Sequence, residues 1–309
     1  MNHDENLSTS DDLTQYKDAL DREGLVVLPP EVTGVSMASI ERCGEALLKR
    51  FQEETGCEIN IEEGPLGHLE WPQNIRSGFL SNPDQVGFAK LLACDRGFRD
   101  LTVNPVVNAL IDHLMGRMPL SRKHPAGQKT RRFSSAQGLL KWQGESGYGA
   151  SLGLHSDQGA LGIFAPPRPY CTAEATTAFA ANATWCLTDY TKEGGALAYV
   201  PGSHRIDHEP GPEAARDAIA VEAPRGSAVV FHGATWHGAF PRLLPGVRLT
   251  YVAYYRHASV HSQENFKITM QDGAWSDCED PDVMRELLGL DDMFPYTVAE
   301  RVYPKLVKG

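Results

Sequence analysis

The stretch VRLTYVAYY, which spans residues 247–255, is rich in β-branched and aromatic side chains. Such side chains favour extended strands. Two similar runs occupy residues 195–200 and 227–231, and Gly and Pro turns separate the runs. Short strands that alternate with turns in this way are typical of a β-sandwich or barrel. We therefore predict a β core over residues 133–260.

The N-terminal part of the chain has a helical pattern. Apolar residues recur at helical spacing in residues 13–20 and 39–55, and Gly24 is well placed to end the first of these helices. The pair Asn104-Pro105 has the residue types of an N-cap and a first-turn proline, which predicts a third helix.

These patterns predict one domain that spans residues 1–309. In chain order, its parts are a disordered start (1–10), a helical part (11–132), the β core (133–260) and a C-terminal extension (261–309).

Composition restricts the classes of protein to which the chain can belong. The formal net charge is -11, which disfavours nucleic acid and anionic membranes as partners because they select basic surfaces. No window approaches the roughly 18 consecutive apolar residues of a membrane span, and residues 1–12 lack the pattern of a secretory signal. None of the six cysteines forms a Cys-x-x-Cys pair. We expect reduced thiols, a cytoplasmic location and, from base rates, a homodimer.

The stretch LHSD, residues 154–157, places a histidine two residues before an aspartate. In an extended strand, positions i and i+2 point to the same side, so His155 and Asp157 can be directed at one point. The pattern His-x-Asp is common by chance. Taken alone, it is better explained as a structural pair.

A candidate third donor lies in the stretch FHGATWHG, residues 231–238. Two imidazoles and one carboxylate on one face of an octahedral metal leave three positions open, an arrangement that suits non-haem iron(II). Zinc in a hydrolase can use similar donors, so a triad of this type does not determine the metal by itself.

Arg248 follows His237 by eleven residues, across a turn that contains two prolines. Period-2 alternation places Arg248 and Thr250 on the same face of their strand. A guanidinium inside a barrel needs an anion, and a dicarboxylate that chelates the metal at its other end would provide one. Charge-assisted hydrogen bonds of this kind contribute roughly 1.5–3 kcal/mol each. Without the triad, a surface position for Arg248 would be the simpler interpretation.

Four motifs follow one another in the C-terminal half of the chain. They are LHSD (154–157), WCLTD (185–189), GGALAYVPGSH (194–204) and WHG (236–238), followed by Arg248. In this order they resemble the phytanoyl-CoA hydroxylase family of iron(II)- and 2-oxoglutarate-dependent oxygenases. The resemblance is close over residues 133–257 and looser in the N-terminal helices. The Gly-rich turn into VPGSH is quite specific to this family.

The resemblance implies a mainly β fold with flanking helices, whose core is a double-stranded β-helix, a cupin-like jelly roll with the metal at its open end. It implies that iron(II) is bound by His155, Asp157 and His237. It further implies cosubstrate-binding positions at Arg248, which would meet the 2-oxoglutarate C5 carboxylate, and at Gln137 and Trp185.

Two residues separate this interpretation from close alternatives. His232 is the main rival of His237 as a metal ligand, but Arg248 lies at the family's distance from His237. Asp157 bears on the reaction, because related halogenases replace this carboxylate with a small residue. The presence of Asp157 therefore disfavours halogenation.

We therefore predict a dioxygenase that uses iron(II), 2-oxoglutarate and dioxygen to oxidise an unactivated C–H bond of a small organic molecule, with release of succinate and carbon dioxide. Hydroxylation is the expected outcome, while desaturation, ring formation and epimerisation stay open, and specialised-metabolite biosynthesis is a fitting setting. The alternatives are a cupin-type metal-dependent isomerase or hydrolase that does not use 2-oxoglutarate, and a binding protein with a vestigial triad.

Three further segments bear on the substrate. Residues 118–132 carry six basic side chains, which we interpret as a solvated loop, with a site for an anionic group such as a coenzyme A thioester as the alternative. The long loop 165–183 and the region 57–85, with Phe88 nearby, are predicted to form an apolar lid over the site.

Overall fold

The computed structural model describes residues 13–67, 69, 78–82, 84–116, 129–144, 149–160, 178–270 and 272–292. Several predicted features lie wholly or largely outside these residues: the disordered start, most of the loop 165–183, residues 118–128, and the end of the C-terminal extension.

Eight α-helices occur in the described residues. They are α1 (Thr14–Glu23), α2 (Pro30–Thr33), α3 (Met37–Thr55), α4 (Arg96–Thr102), α5 (Pro105–Met115), α6 (Asp157–Ala160), α7 (Phe266–Thr269) and α8 (Pro281–Leu287). No described helix combines the length and the apolar character needed to cross a membrane.

The same residues contain twelve strands. They are β1 (Leu25–Leu28), β2 (Glu58–Asn60), β3 (Gly64–Leu66), β4 (Gly78–Asn82), β5 (Gln85–Phe88), β6 (Arg131–Gly144), β7 (Ala180–Cys186), β8 (Leu197–Tyr199), β9 (Ile219–Ala220), β10 (Ala228–His232), β11 (His237–Ala239) and β12 (Arg242–His257).

Two antiparallel sheets form the β core. The larger has seven strands in the order β1-β10-β7-β12-β6-β5-β4, and the smaller has three in the order β11-β8-β9. A cavity lies between them, lined by residues of both sheets. The predicted fold class, a mainly β jelly roll with flanking helices, is confirmed.

The long strand β12 shows why this sequence forms the core. Its side chains alternate, as a strand requires. The apolar set is buried against the helices and comprises Val247, Leu249, Tyr251, Ala253 and Tyr255. The other set lines the cavity and comprises Arg248, Thr250, Val252 and Tyr254. One strand thus supplies both the stabilising apolar contacts and one wall of the site.

The predicted helices of the N-terminal part are confirmed. Gly24 ends α1 with a φ of 80°, and the side chain of Asn104 caps α5 by accepting a hydrogen bond from Val107 N at 3.1 Å. The part is not helical throughout, because β1, β4 and β5 extend both edges of the larger sheet. Phe88 is fully buried in the core, so the proposed lid does not include it.

The described end of the basic segment is not a solvated loop. Lys129 Nζ lies 3.3 Å from Asp112 Oδ2, and Arg131 Nη1 lies 2.5 Å from the other oxygen of that carboxylate. Arg132 Nε lies 2.7 Å from Asp292 Oδ2. Strand β6 begins here and carries both arginines into the interior, where they are buried. Their charges are therefore used inside the fold.

The packing of α3 on the sheet depends on Gly138. A Cβ atom at this position would lie 2.2 Å from Leu47 Cδ2 and 2.9 Å from Leu91 Cδ1. We expect Gly138→Ala to lower the free energy of unfolding by about 1–3 kcal/mol through overpacking, as measured by urea denaturation.

Gly44, on α3, provides the matched control. A Cβ atom there would meet only Leu249 Cδ1, at 3.5 Å, an ordinary contact. Gly44→Ala should raise stability by up to about 1 kcal/mol, because alanine is the better helix former. Equal effects of the two substitutions would contradict the packing described.

Candidate metal centre

His155, Asp157 and His237 come together at one side of the cavity. Their potential ligand atoms all lie within 4.8 Å of one another. His155 Nε2 is 3.6 Å from Asp157 Oδ1, and His237 Nε2 is 3.5 Å from Asp157 Oδ2. Two imidazole nitrogens and a carboxylate thus face a common point, which is the donor set expected of a metal site.

The backbone that carries His155 and Asp157 differs from the extended strand that we predicted. His155 forms an isolated antiparallel bridge with His237, in which each N–H donates to the other residue's carbonyl at 2.9 and 3.0 Å. Asp157 then begins α6. The predicted extended geometry was wrong, but the two side chains converge because the bridge and the helical turn bring them together.

Both imidazoles are held in the tautomer that a metal requires. His155 Nδ1 lies 2.8 Å from Gly153 O, and His237 Nδ1 lies 2.9 Å from Thr235 O. A carbonyl oxygen only accepts, so Nδ1 carries the proton in each ring. The lone pair of Nε2 is then directed at the metal position.

The pKa shifts of the three residues act on metal binding in different directions. Burial lowers the pKa of His237 to about 4, so this imidazole is neutral at pH 7. Burial opposes ionisation of Asp157, but the two neighbouring histidines and the hydrogen bond from Asn182 outweigh it and lower the pKa of Asp157. Burial also opposes protonation of His155, but the nearby Asp157 carboxylate and the Gly153 carbonyl outweigh burial and raise the pKa of His155. A metal ion would therefore compete with a proton for this ring.

The Gly-rich turn has a structural role beside this site. Ser203 Oγ donates to Val200 O at 2.6 Å and accepts from Trp236 N at 2.8 Å. Val200 N donates to Trp236 O at 3.0 Å. The residue before His237 is therefore held on both sides of its backbone, which fixes where β11 begins.

His232 lies on the opposite face of β10 from Phe231, which lines the cavity. Its Nδ1 accepts a hydrogen bond from Ala234 N at 3.0 Å, and its ring lies 5.5 Å from that of His204. His232 is not part of the group that converges on Asp157.

Arg248 lies in the same cavity, which encloses about 240 Å³. Its side chain is 3% exposed, and Nη1 donates to Gly195 O. Nε has no hydrogen-bond partner among the described residues. The ring of Tyr190 lies 5.2 Å from the guanidinium, and its hydroxyl is 2.5 Å from Thr250 Oγ1. The buried guanidinium of Arg248 is thus held in place, and its Nε could still donate a hydrogen bond to a ligand.

The structure brings Gln137 to the cavity, but not Trp185. Gln137 Nε2 donates to Ser135 Oγ at 3.1 Å and to Gln263 Oε1 at 3.3 Å. On β7 the cavity side is occupied by Asn182 and Thr184. Trp185 follows on the other face and is fully buried in the apolar core.

Several cavity residues escaped the sequence analysis, among them Asn182, Tyr190, Tyr254 and Gln263. For Asn182, the sequence does contain a signal. The run ANATW, residues 181–185, alternates apolar residues with Asn182 and Thr184, as expected for a strand with one polar face. Gln263 lies in an irregular segment, where periodicity gives no information.

The fold and these residues define a class of protein: a jelly roll whose cavity holds a His-Asp-His group and a buried arginine. The family model described as phytanoyl-CoA dioxygenase (PhyH) matches residues 73–248. The chain belongs to this family.

Two curated relatives share part of the sequence. "Dioxygenase af480" of Aspergillus fumigatus is 32% identical over 158 residues, which are 50% of this chain and 43% of that protein. "Dioxygenase swnH1" of Metarhizium robertsii is 37% identical over 76 residues, which are 24% of each chain. The matches thus cover less than half of each relative's length.

Solved structures support the same fold. The α-ketoglutarate-dependent carbocyclase SnoK from nogalamycin biosynthesis has a TM-score of 0.53 at 19% identity, over 87% of this chain and 91% of its own. HygX from Streptomyces hygroscopicus, solved with nickel, 2-oxoglutarate and hygromycin B, has a TM-score of 0.51 at 16% identity, over 79% and 86%. At these identities the similarity establishes the fold alone.

The geometry predicts which histidine binds metal. We expect wild-type protein to bind one Co²⁺ ion per chain in calorimetric titrations and His237→Ala to lose this binding, because one of three donors is removed. His232→Ala is the control, since it removes a buried histidine five residues away in the chain. Loss of binding in both variants alike would contradict the assignment.

Proposed function

We propose that this chain is an iron(II)- and 2-oxoglutarate-dependent dioxygenase that oxidises an unactivated C–H bond of a small organic molecule, with hydroxylation as the expected reaction. The observation that carries the proposal is the pairing of two features in one cavity. One is the group formed by His155, Asp157 and His237, and the other is the buried guanidinium of Arg248.

The donor set fits iron(II). Two Nε2 atoms and one carboxylate are the donors of a facial triad, which would leave three metal positions open for a chelating cosubstrate and dioxygen. His155, Asp157 and His237 would hold the ion. The orientation of both imidazoles favours this role, because their Nδ1 atoms donate to backbone carbonyls and leave Nε2 facing the carboxylate.

Arg248 fits the distal carboxylate of 2-oxoglutarate. Burying a guanidinium is costly unless an anion compensates its charge. The free donor capacity at Nε would be satisfied by a carboxylate. Tyr190 and Thr250 keep the guanidinium in place through the ring contact and the hydroxyl pair. An enzyme of the cupin type that does not use 2-oxoglutarate would leave this arrangement without a purpose.

When bound, iron(II) and 2-oxoglutarate activate dioxygen for C–H oxidation, with release of succinate and carbon dioxide. The chain's own residues would bind and orient these partners and limit the access of water to the reacting atoms. The apolar side chains Leu139, Leu197, Phe231 and Val252 line it beside the polar ones. Where they hold the substrate decides between hydroxylation and the other outcomes.

The substrate that we propose is a neutral small molecule that both donates and accepts hydrogen bonds. Within the part of the chain that the structure describes, the hydrogen bonds between Gln137, Ser135 and Gln263 leave Gln137 Oε1 as an acceptor and Gln263 Nε2 as a donor beside the cavity. The hydroxyl of Tyr254 belongs to the same wall. An anionic coenzyme A thioester fits less well, because the described arginines of the basic segment are paired inside the fold. A specialised metabolite is the kind of molecule that we propose.

The proposal is tested by anaerobic reconstitution. Purified protein is loaded with iron(II), 2-oxoglutarate is added, and the visible spectrum is recorded. We expect a weak metal-to-ligand charge-transfer band that His237→Ala loses and Arg248→Ala weakens. Arg248→Lys should retain more of it than Arg248→Ala, because it preserves the positive charge. Bound metal without a band in wild type would favour the cupin-type alternative.

Cosubstrate binding should depend on pH through Lys141. Lys141 pairs with Arg248 across β6 and β12 and is fully buried. Its Nζ lies 3.7 Å from Asp84 Oδ2. Burial and then the charge of Arg248 lower the pKa of Lys141 to about 8, while Asp84 opposes the shift. A carboxylate bound at Arg248 would favour the protonated amine and raise this pKa again.

The sign follows from proton linkage, since the bound state holds more protons than the free state. Affinity for 2-oxoglutarate should be greatest below the pKa of about 8 and fall as pH rises through it. Lys141→Arg should lose this dependence because arginine stays protonated. Calorimetry across that range measures the effect, and a flat wild-type profile would exclude a role for Lys141.

A further inference from the structure

Asn182 makes the closest side-chain contact to the candidate metal ligand Asp157. Its Nδ2 donates to Asp157 Oδ2 at 2.5 Å, and its side chain is 2% exposed. Asn182 lies on β7, which is paired on both sides, with Phe231 of β10 and Tyr254 of β12 as its register partners. The amide therefore extends from a strand that is fixed by hydrogen bonds to both neighbours.

The segment of Asp157, in contrast, is not part of a sheet. It is a single helical turn, attached through the His155 bridge, through Gln158 N, which donates to Gly233 O at 2.8 Å, and through side-chain hydrogen bonds of Ser156 and Gln158. None of these bonds is made by the carboxylate itself, so they do not set its rotation about the side-chain bonds. The hydrogen bond from Asn182 restricts that rotation.

The orientation of the amide follows from its neighbours. Nδ2 must face Asp157, because the amide oxygen would be repelled by the carboxylate. Asn182 Oδ1 is then buried with no hydrogen-bond partner among the described residues. A leucine of similar size would avoid the cost of burying that oxygen. The hydrogen bond that Nδ2 donates to Asp157 is therefore the best explanation for an asparagine at this position.

We propose that Asn182 is a positioning residue that occupies Asp157 Oδ2, so that the carboxylate offers Oδ1 alone to the metal. The inference rests on the proposed function, since it concerns the same site. One-oxygen coordination matters because a carboxylate that chelates with both oxygens takes one of the three open positions. Outer partners of metal ligands tune affinity in this way.

The test compares Asn182→Leu with Thr184→Val, a variant of the next cavity-facing residue on β7. Co²⁺ affinity is measured by calorimetry, and crystal structures of the cobalt-loaded proteins show how many Asp157 oxygens reach the metal. We expect Asn182→Leu to bind Co²⁺ about 10–100-fold more weakly and to use both oxygens. Thr184→Val should retain wild-type affinity and one-oxygen coordination.

Each other outcome is decisive. Wild-type affinity or one-oxygen coordination in Asn182→Leu overturns the inference, as does an equal loss in Thr184→Val. If wild type binds no divalent metal, the proposed function fails as well, whereas metal binding that is unaffected by Asn182→Leu overturns this inference alone. Circular dichroism confirms folding, and Asn182→Ala replaces the leucine variant if leucine does not fit.

Discussion

The two backbone hydrogen bonds between His155 and His237 are the interaction on which the site depends. They join two segments that are 82 residues apart in the sequence and bring the two imidazoles beside the Asp157 carboxylate, at 3.6 and 3.5 Å. The two segments approach so closely that position 238 requires glycine, because a Cβ atom there would lie 2.1 Å from Leu152 O. Ala239 N donates to the same carbonyl at 3.0 Å, so the contact continues beyond the bridge.

In the larger sheet, side chains alternate along each strand between a face that stabilises the fold and a face that lines the site. On β7 and β12 one face is buried against the helices, and the other carries polar groups into the cavity. Burying polar groups is costly unless they are hydrogen-bonded. The Tyr190–Thr250 pair and the Asn182–Asp157 bond offset part of that cost. The apolar face, which includes the fully buried Trp185, supplies the stabilisation that makes such a cavity tolerable.

Much of this could be predicted from the sequence, because local patterns determine it. The cap at Asn104 and the alternation around Arg248 are read directly from residue type and spacing. The geometry at Asp157 could not be predicted, since its helical turn follows a bridge to a distant segment. Trp185 shows a related limit: alternation gives the two faces of a strand, but only neighbouring strands and helices decide which face is the core. The role of Asn182 could not be predicted either, because it depends on the position of the Asp157 carboxylate.

The charges at the two ends of the cavity explain why one ligand would suit both. With a divalent ion, the single carboxylate of Asp157 leaves one positive charge at the metal end. At the other end Arg248 and Lys141 carry two positive charges and Asp84 one negative charge, which again leaves one. A dicarboxylate with two negative charges, separated by a short carbon chain, neutralises both ends at once. A monoanion would leave one buried charge uncompensated, and such charges are expensive in a low-dielectric interior. On the proposed function, the cavity therefore selects its cosubstrate by charge separation as well as by metal chelation.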